Sequence, residues 1–195
     1  MTIPRGQARE TILQSAEGLV RKHGAGAVTV EAVAKAAGSA KGLVHYHFKT
    51  KIGLLGAVLD RLSQTRIRAW LAALEPGAQQ SAVERSWSLL TEESVGGTVL
   101  AWHTLIQSGE VFADHSVKSV VNEFSRSLGD ALVRLLEEDM RLVPTVPNEE
   151  IGWLITAVID GIGLQLLGGA SEDELQGAYA AAWLGILSLT IPAES

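Results

Sequence analysis

Residues 29–51 read TVEAVAKAAGSAKGLVHYHFKTK, and this stretch decides the fold of the N-terminal part of the chain. Thr29 is a good N-cap for a short helix over residues 30–37, and Gly38 ends that helix. A second short helix follows over about residues 40–48. Two short helices separated by a glycine turn are typical of a motif in which the second helix contacts a partner.

A longer helix precedes this pair. Apolar and small residues between Ala8 and Val20 recur with the 3.6-residue period, and Gly24 and Gly26 end the pattern. Three helices in this order predict a helix-turn-helix head over residues 1–50. Its last helix would lie in the major groove of DNA, where residues near the helix start must be small or able to donate hydrogen bonds.

The second short helix has the side chains that this role requires. Small residues precede Lys41, whose ammonium group can reach either guanine acceptors or a phosphate. The histidines and the tyrosine that follow offer further groups for phosphates or base edges. The predicted DNA-binding residues are Thr29, Ser39, Ala40, Lys41, Gly42, His45, Tyr46, His47 and Lys51.

Charge is unevenly distributed along the chain. Residues 1–51 hold eight Lys and Arg against three acids, a net charge of +5, whereas residues 52–195 hold eight against nineteen, a net charge of −11. A basic head on an acidic body fits phosphate binding by one end of the molecule.

The remaining sequence is also predicted to be helical. An apolar pattern runs from Lys51 to the Pro76-Gly77 break, so one long helix joins the head to the body. Asn148 and Ser171 have the character of N-caps followed by acidic first turns. No segment alternates with period two for long enough to be a strand. We therefore predict an all-α fold of about nine helices, with a head at 1–50, a body at 51–195, and body helices near 80–93, 97–109, 115–142, 148–168 and 172–190.

The head resembles the TetR family of bacterial repressors over roughly residues 8–60. The similarity lies in the Ala37-Gly38 turn, the Lys41-Gly42 pair, the Tyr46-His47-Phe48 run and the Leu54-Leu55 pair. The resemblance implies a homodimer whose two heads bind half-sites of a pseudo-palindromic operator on double-stranded DNA. It also implies a body that binds a small-molecule effector and thereby weakens DNA binding. No cofactor is implied.

Two positions depart from the family pattern. The family usually has a hydroxyl residue where this chain has Ala40, so either Ser39 takes over the helix cap or one phosphate contact is absent. It usually has tyrosine where this chain has His45, and a histidine there would make the contact depend on pH.

Aromatic and polar residues lie together on the apolar helices of the body, as in an apolar cavity with a few polar groups. Trp102 lies four residues before Ile106, and His103 lies four before Gln107, so adjacent strips of one helix carry an aromatic and two polar groups. An effector of mainly apolar character would fit. The predicted effector-binding residues are Trp102, His103, Gln107, Phe124, Trp153 and Thr156, and Phe112 belongs to the same group of aromatics.

The last two helices are apolar nearly all round and predict a two-fold four-helix bundle between two copies. The predicted dimer residues are Ile151, Ile155, Ile159, Ile162, Tyr179, Ala182, Trp183 and Ile186. The alternative is that these helices cap the core of a monomer. Asp160 lies among them and would meet an effector donor, a partner-chain group or water.

Other classes of protein are disfavoured. The chain has no cysteine, and the charged N-terminal segment lacks the apolar core of a signal peptide, so we predict a cytoplasmic protein outside the membrane. No motif of a catalytic mechanism or metal site occurs, and Ser108, His103, His115 and Asp114 lack the spacing of a triad. Two alternatives stay open: a DNA-binding regulator with a solid body and no effector, and a helical binding protein or enzyme with a vestigial head.

Overall fold

The computed structural model of the protein describes residues 5–108, 111 and 116–193. The predicted all-helical class is confirmed within these residues. They form nine α-helices: α1 (Arg5–His23), α2 (Val30–Ala36), α3 (Lys41–Phe48), α4 (Lys51–Ala73), α5 (Ala82–Val95), α6 (Thr98–Ile106), α7 (Ser116–Met140), α8 (Asn148–Leu167) and α9 (Glu172–Leu187). Phe112, Asp114 and His115 lie outside the described residues.

Two short strands add to the helices. β1 (Leu142–Pro144) pairs antiparallel with β2 (Thr190–Pro192), with Val143 opposite Ile191. The prediction that no strand is present was therefore wrong. Three residues are too few for a period-two pattern, and this pairing joins segments that lie far apart in the chain.

The chain divides into two compact units whose limits differ from the predicted boundary at residue 50. The first consists of Met1–Ser63 with Gly96–Val120, and the second of Gln64–Val95 with Val121–Ser195. α4 is one continuous helix, as predicted, and it contributes residues to both units.

In the first unit α6 packs against α1, and this contact explains why α6 belongs with the head. Gly97 has a left-handed φ of +74°, and a Cβ there would overlap the backbone of Arg21. Arg21 donates a hydrogen bond to Thr98 Oγ1. The amide of Ala25 donates to Thr104 Oγ1 at 3.0 Å, which anchors the turn after α1 on α6.

In the second unit α7 and α8 approach each other at two glycines. A Cβ on Gly129 would meet the backbone of Asn148 and Gly152, and a Cβ on Gly152 would overlap the carbonyl of Ser125. The hydroxyls of Ser125 and Thr156 lie 3.1 Å apart beside this crossing. Only glycine permits backbones to lie this close.

α9 is fixed at its start and along its buried face. Ser171 and Glu174 form a capping box, and hydrogen bonds from the Ser171 backbone and side chain lower the pKa of Glu174. Tyr179 donates a hydrogen bond to Ser86 Oγ at 2.7 Å, and burial raises its pKa. The predicted cap at Ser171 is confirmed, whereas Asn148 is the first residue of α8 and the residue at its N-cap position is Pro147, which makes no side-chain cap.

Among the described helices, α8 alone has the length and apolar composition of a membrane span, with a mean hydropathy of 1.4 over its most apolar window. A core helix of a soluble protein passes the same test. One face of α8 is indeed core, because Ile151, Ile155 and Ile159 are fully buried.

We expect Gly152→Ala to lower the free energy of unfolding by about 1–3 kcal/mol, because the added methyl group must push α7 away from α8. Chemical denaturation measures the change. Gly18→Ala is the control, since Gly18 is an exposed residue of α1 with nothing near its Cβ position. That substitution should raise stability by up to about 1 kcal/mol through helix propensity. Equal effects of the two substitutions would contradict the close contact at Gly152.

Candidate nucleic-acid interface and effector site

The turn between α2 and α3 has the local chemistry that the sequence predicts. Thr29 caps α2, and its Oγ1 accepts a hydrogen bond from the Ala32 amide at 3.0 Å. Gly38 has a φ of +58°, which an L side chain adopts only at a cost, and the Ser39 amide then donates to the carbonyl of Ala34 at 2.9 Å. These contacts fix where α3 begins.

The start of α3 lacks a side-chain cap. Ala40 occupies the N-cap position with extended backbone and has no hydroxyl to accept from the helix amides. Ser39 does not take over the cap, because its Oγ is buried and has no hydrogen-bond partner among the described residues. The first amides of α3 are therefore open to an anion such as a DNA phosphate.

Lys41 is the first residue of α3 and is well exposed. Its Nζ lies 3.1 Å from Glu31 Oε1, on the first turn of α2. Gly42 follows with open space around its Cβ position, so a partner can approach the helix closely here. Lys41, the predicted hydrogen-bond donor, is therefore exposed to solvent and forms an ion pair with Glu31.

The end of α3 separates exposed from buried aromatics. His45 and Tyr46 are exposed, whereas Phe48 is buried. The Lys49 ammonium lies 5.2 Å from the centre of the Tyr46 ring, which places a cation beside the exposed phenol. His47 is half-buried between the rings of Tyr46 and Phe48, and its Nε2 has no hydrogen-bond partner within the described part of the chain.

Ion pairs occupy some of the head's bases. Arg61 pairs with Glu10 and, at 2.9 Å, with Glu17, which also holds Arg21 at 2.9 Å. The hydrogen bond from Arg61 lowers the pKa of Glu10. Arg9 lies over the buried Phe48 ring. Lys22, Lys35 and Lys49 are exposed as well, Lys41 is exposed but paired with Glu31, and Lys51 is half-buried at the start of α4.

The predicted effector residues do not form one group. Trp102 and His103 are buried in the first unit, and Phe124 and Thr156 are buried in the second. Gln107 is exposed at the end of α6, and 43% of Trp153 is exposed on α8. Gln107 lies at the C-cap of its helix, and Trp153 lies opposite the buried isoleucines of α8, so neither adjoins the buried members of the predicted set.

The second unit contains a buried charged cluster that sequence reasoning missed. Arg66 on α4 is 2% exposed and Glu93 on α5 is 6% exposed, and the guanidinium donates three hydrogen bonds of 2.9–3.1 Å to the carboxylate. The guanidinium carbon lies 4.6 Å from the centre of the Phe124 ring. Asp160 on α8 is partly exposed and lies 4.0 Å from Arg66 Nη1. Four helices thus bring charge and an aromatic ring together.

A sequence signal for this cluster existed. Arg66 lies between Leu62 and Trp70 at four-residue spacing, so it interrupts the apolar stripe of α4. A cation at a core position requires a buried acid, although the spacing could not name Glu93 as that acid.

The predicted dimer residues are mostly internal to one chain. Within the second unit the buried members are Ile151, Ile155, Ile159, Ile162, Tyr179, Trp183 and Ile186, and Ala182 is half-buried. Most of these side chains are buried by packing within one chain, so their place in a dimer interface stays a prediction. The exposed apolar strip of these two helices consists of other residues. On α8 they are Trp153, Leu154, Ala157, Leu164 and Leu167, and on α9 they are Gly177, Ala178, Ala181, Leu184 and Gly185.

The second unit also has a surface groove. An open groove of about 400 Å³ lies between the ends of α5 and α8 and the start of α9, lined in part by Ser94, Val95, Leu167 and Glu172. It includes none of the predicted effector residues. No group of three His, Asp or Glu side chains within the described ranges could hold a metal ion.

Comparison with known proteins identifies the head. Residues 12–58 match the sequence profile of a family described as bacterial regulatory proteins, tetR family. Among curated proteins, none matches the chain significantly.

Solved structures match the fold of nearly the whole chain. A TetR-family regulator from Rhodococcus sp. has a TM-score of 0.69 at 23% identity, over 92% of this chain and 98% of that one. NalD of Pseudomonas aeruginosa, described as the secondary repressor of the MexAB-OprM multidrug efflux pump, has a TM-score of 0.59 at 19% identity, over 94% and 98%. EbrR, a multidrug binding protein solved with imidazole, has a TM-score of 0.61 at 22% identity, over 96% of each chain.

The profile covers the turn, the exposed face of α3 and the first part of α4, and the structural matches extend the likeness to the body. Residues 12–58 therefore match the DNA-binding head of the TetR family, and nearly the whole chain shares its fold with structures described as TetR-family regulators.

Proposed function

We propose that the protein is a cytoplasmic homodimeric repressor that a small molecule of mainly apolar character releases from a palindromic operator. The observation that carries this proposal is the exposed face of α3, where Lys41, His45 and Tyr46 follow an uncapped helix start. Small residues before Lys41 and open space at Gly42 favour insertion of this helix into the major groove.

The proposed effector site is built around the Arg66–Glu93 pair in the second unit. A buried ion pair adds little stability over apolar residues of the same volume, because desolvation of two charges offsets their attraction. Its presence in a largely apolar interior, with Phe124 and Asp160 beside it, fits a site that orients a ligand through a few polar groups. The family neighbours described as a multidrug-pump repressor and a multidrug binding protein agree with control by a small molecule.

The proposed dimer face is the exposed strip of α8 and α9. Every exposed residue from Trp153 to Gly168 and from Gln176 to Ser188 is uncharged. Such a surface is unusual on a monomer, and the small residues of α9 would let a second copy approach closely. We assign Trp153 to this face rather than to the effector site. A second copy covering α8 would also account for its apolar composition without a membrane.

DNA binding is tested with an operator selected from genomic fragments that the protein retains at low salt. We expect Lys41→Ala and Tyr46→Ala each to weaken operator binding by about fivefold or more, because each removes a contact from α3. Fluorescence anisotropy at fixed salt measures the dissociation constants. Lys118→Ala removes an exposed lysine of α7 and should leave affinity unchanged. Unchanged affinity in both α3 variants would contradict the proposed interface.

The dimer is tested by sedimentation. Leu184 is 68% exposed on α9, and Leu184→Arg should convert the dimer to a monomer, because a charge buried between two copies is left unpaired. Met140→Arg places the same charge on an exposed apolar residue at the end of α7 and should leave the dimer intact. A monomeric unsubstituted protein, or a dimer that survives Leu184→Arg, would contradict this interface.

The effector site is tested by replacing both charges together. Compounds that raise the melting temperature are first selected for their ability to release operator DNA. The double variant Arg66→Met, Glu93→Met should fold and bind the operator, but should need about tenfold more of the compound for half-release, because it lacks the polar contacts. The exposed Arg134–Glu75 pair, replaced in the same way, is the control. An unaltered response in the first double variant would remove the pair from the effector site.

A further inference from the structure

The ion pair between Lys41 and Glu31 places an acid beside the residue on which DNA contact most depends. Both side chains are largely exposed, at 62% and 75%, and their charged atoms are 3.1 Å apart. Lys22, Lys35 and Lys49 supply exposed positive charge elsewhere in the same unit. Glu31, on the first turn of α2, therefore offsets part of the positive charge with which Lys41 would attract DNA.

This contact changes what Lys41 gains from a phosphate. A lysine that binds a phosphate normally releases a condensed counterion, and this release drives sequence-independent binding. A phosphate and the Glu31 carboxylate on one ammonium group would repel each other, so Lys41 must leave Glu31 to bind a phosphate, and the freed carboxylate then takes up a cation from solution. The uptake cancels the release, so Lys41 contributes almost nothing to binding through phosphates alone.

A base edge in the major groove affects the pair differently. The ammonium group has three N–H donors, so it can keep one hydrogen bond to Glu31 and direct the others to the O6 and N7 acceptors of guanine. The carboxylate then orients the lysine instead of competing with a phosphate. The pair thus penalises DNA that offers only phosphates to Lys41.

We propose that Glu31 is a specificity-determining residue that suppresses binding to non-operator DNA by pairing with Lys41. This inference rests on the proposed DNA-binding function of α3. It assigns a role to a residue of α2 that is not required to touch DNA itself.

The test compares Glu31→Gln with the unsubstituted protein on the operator and on a random-sequence duplex of equal length. Affinity for the random duplex should rise by about two- to fivefold near 0.1 M salt, the effect of one exposed charge pair. Operator affinity should change less, so the ratio of the two affinities falls. The plot of log K against log salt for the random duplex should steepen by about 0.9, the value for one additional phosphate contact.

Lys41→Gln completes a double-mutant cycle. In the protein with Glu31 it should leave the salt slope on random DNA nearly unchanged, and in the Glu31→Gln background it should reduce the slope by about 0.9. Glu10→Gln is the charge-matched control, because it removes an acid of the same unit that pairs with Arg61 instead. It should leave the ratio of affinities and the slope unchanged.

The outcomes separate the two proposals. Equal gains on operator and random DNA would overturn the specificity role and leave only a general charge effect. Loss of affinity for both duplexes in Glu31→Gln, or an unchanged salt slope on random DNA, would also overturn the specificity role. In either case, operator binding by the unsubstituted protein would leave the proposed function intact. Failure of the unsubstituted protein to retain any genomic fragment would overturn the proposed function itself.

Discussion

Arg66 lies in a buried stripe of α4 that is otherwise almost wholly apolar, running from Leu54 through Leu62 to Trp70. A guanidinium removed from water in this way must find an acid inside the protein, because an unpaired buried charge costs several kcal/mol by usual estimates (about 3–5). Glu93 meets that requirement with both carboxylate oxygens. The pairing requires the face of α5 that carries Glu93 to turn toward Arg66 on α4.

The same requirement explains why the polar groups of this unit lie together. Phe124 covers the guanidinium, and Asp160 approaches it from α8. Thr156, one turn before Asp160, satisfies its hydroxyl with the carbonyls of Gly152 and Trp153. Burial of the guanidinium and of Glu93 strengthens the electrostatic attraction between them.

Sequence patterns predicted elements whose causes are local. The cap at Thr29, the left-handed turn at Gly38 and the break before Ser171 each depend on residues within four positions of one another, so they can be recognised without knowing the fold. These local signals were enough to predict the helix-turn-helix of the head. The uncapped start of α3 was harder, because the choice between Ser39 and Ala40 depends on whether Ser39 is buried.

Features set by tertiary packing were missed or misplaced. Periodicity showed that α8 is apolar on most sides, but it could not tell that Ile155 faces the core and that Trp153 is exposed. Arg66 and Glu93 are 27 residues apart, and no spacing rule joins them. The assignment of α6 to the first unit depends on a close backbone contact between Gly97 and Arg21, which composition cannot reveal.

Positive charge in the head is smaller in effect than the sequence count suggests. Arg21 and Arg61 are engaged with Glu17, and Lys41 is engaged with Glu31, so three bases enter any encounter with DNA already neutralised in part. The two pairs with Glu17 are half-buried. The Lys41–Glu31 pair is more exposed than either of them. With the role proposed for Glu31, the head would gain less from phosphates, which every duplex offers, and would depend more on the base edges that α3 is proposed to contact.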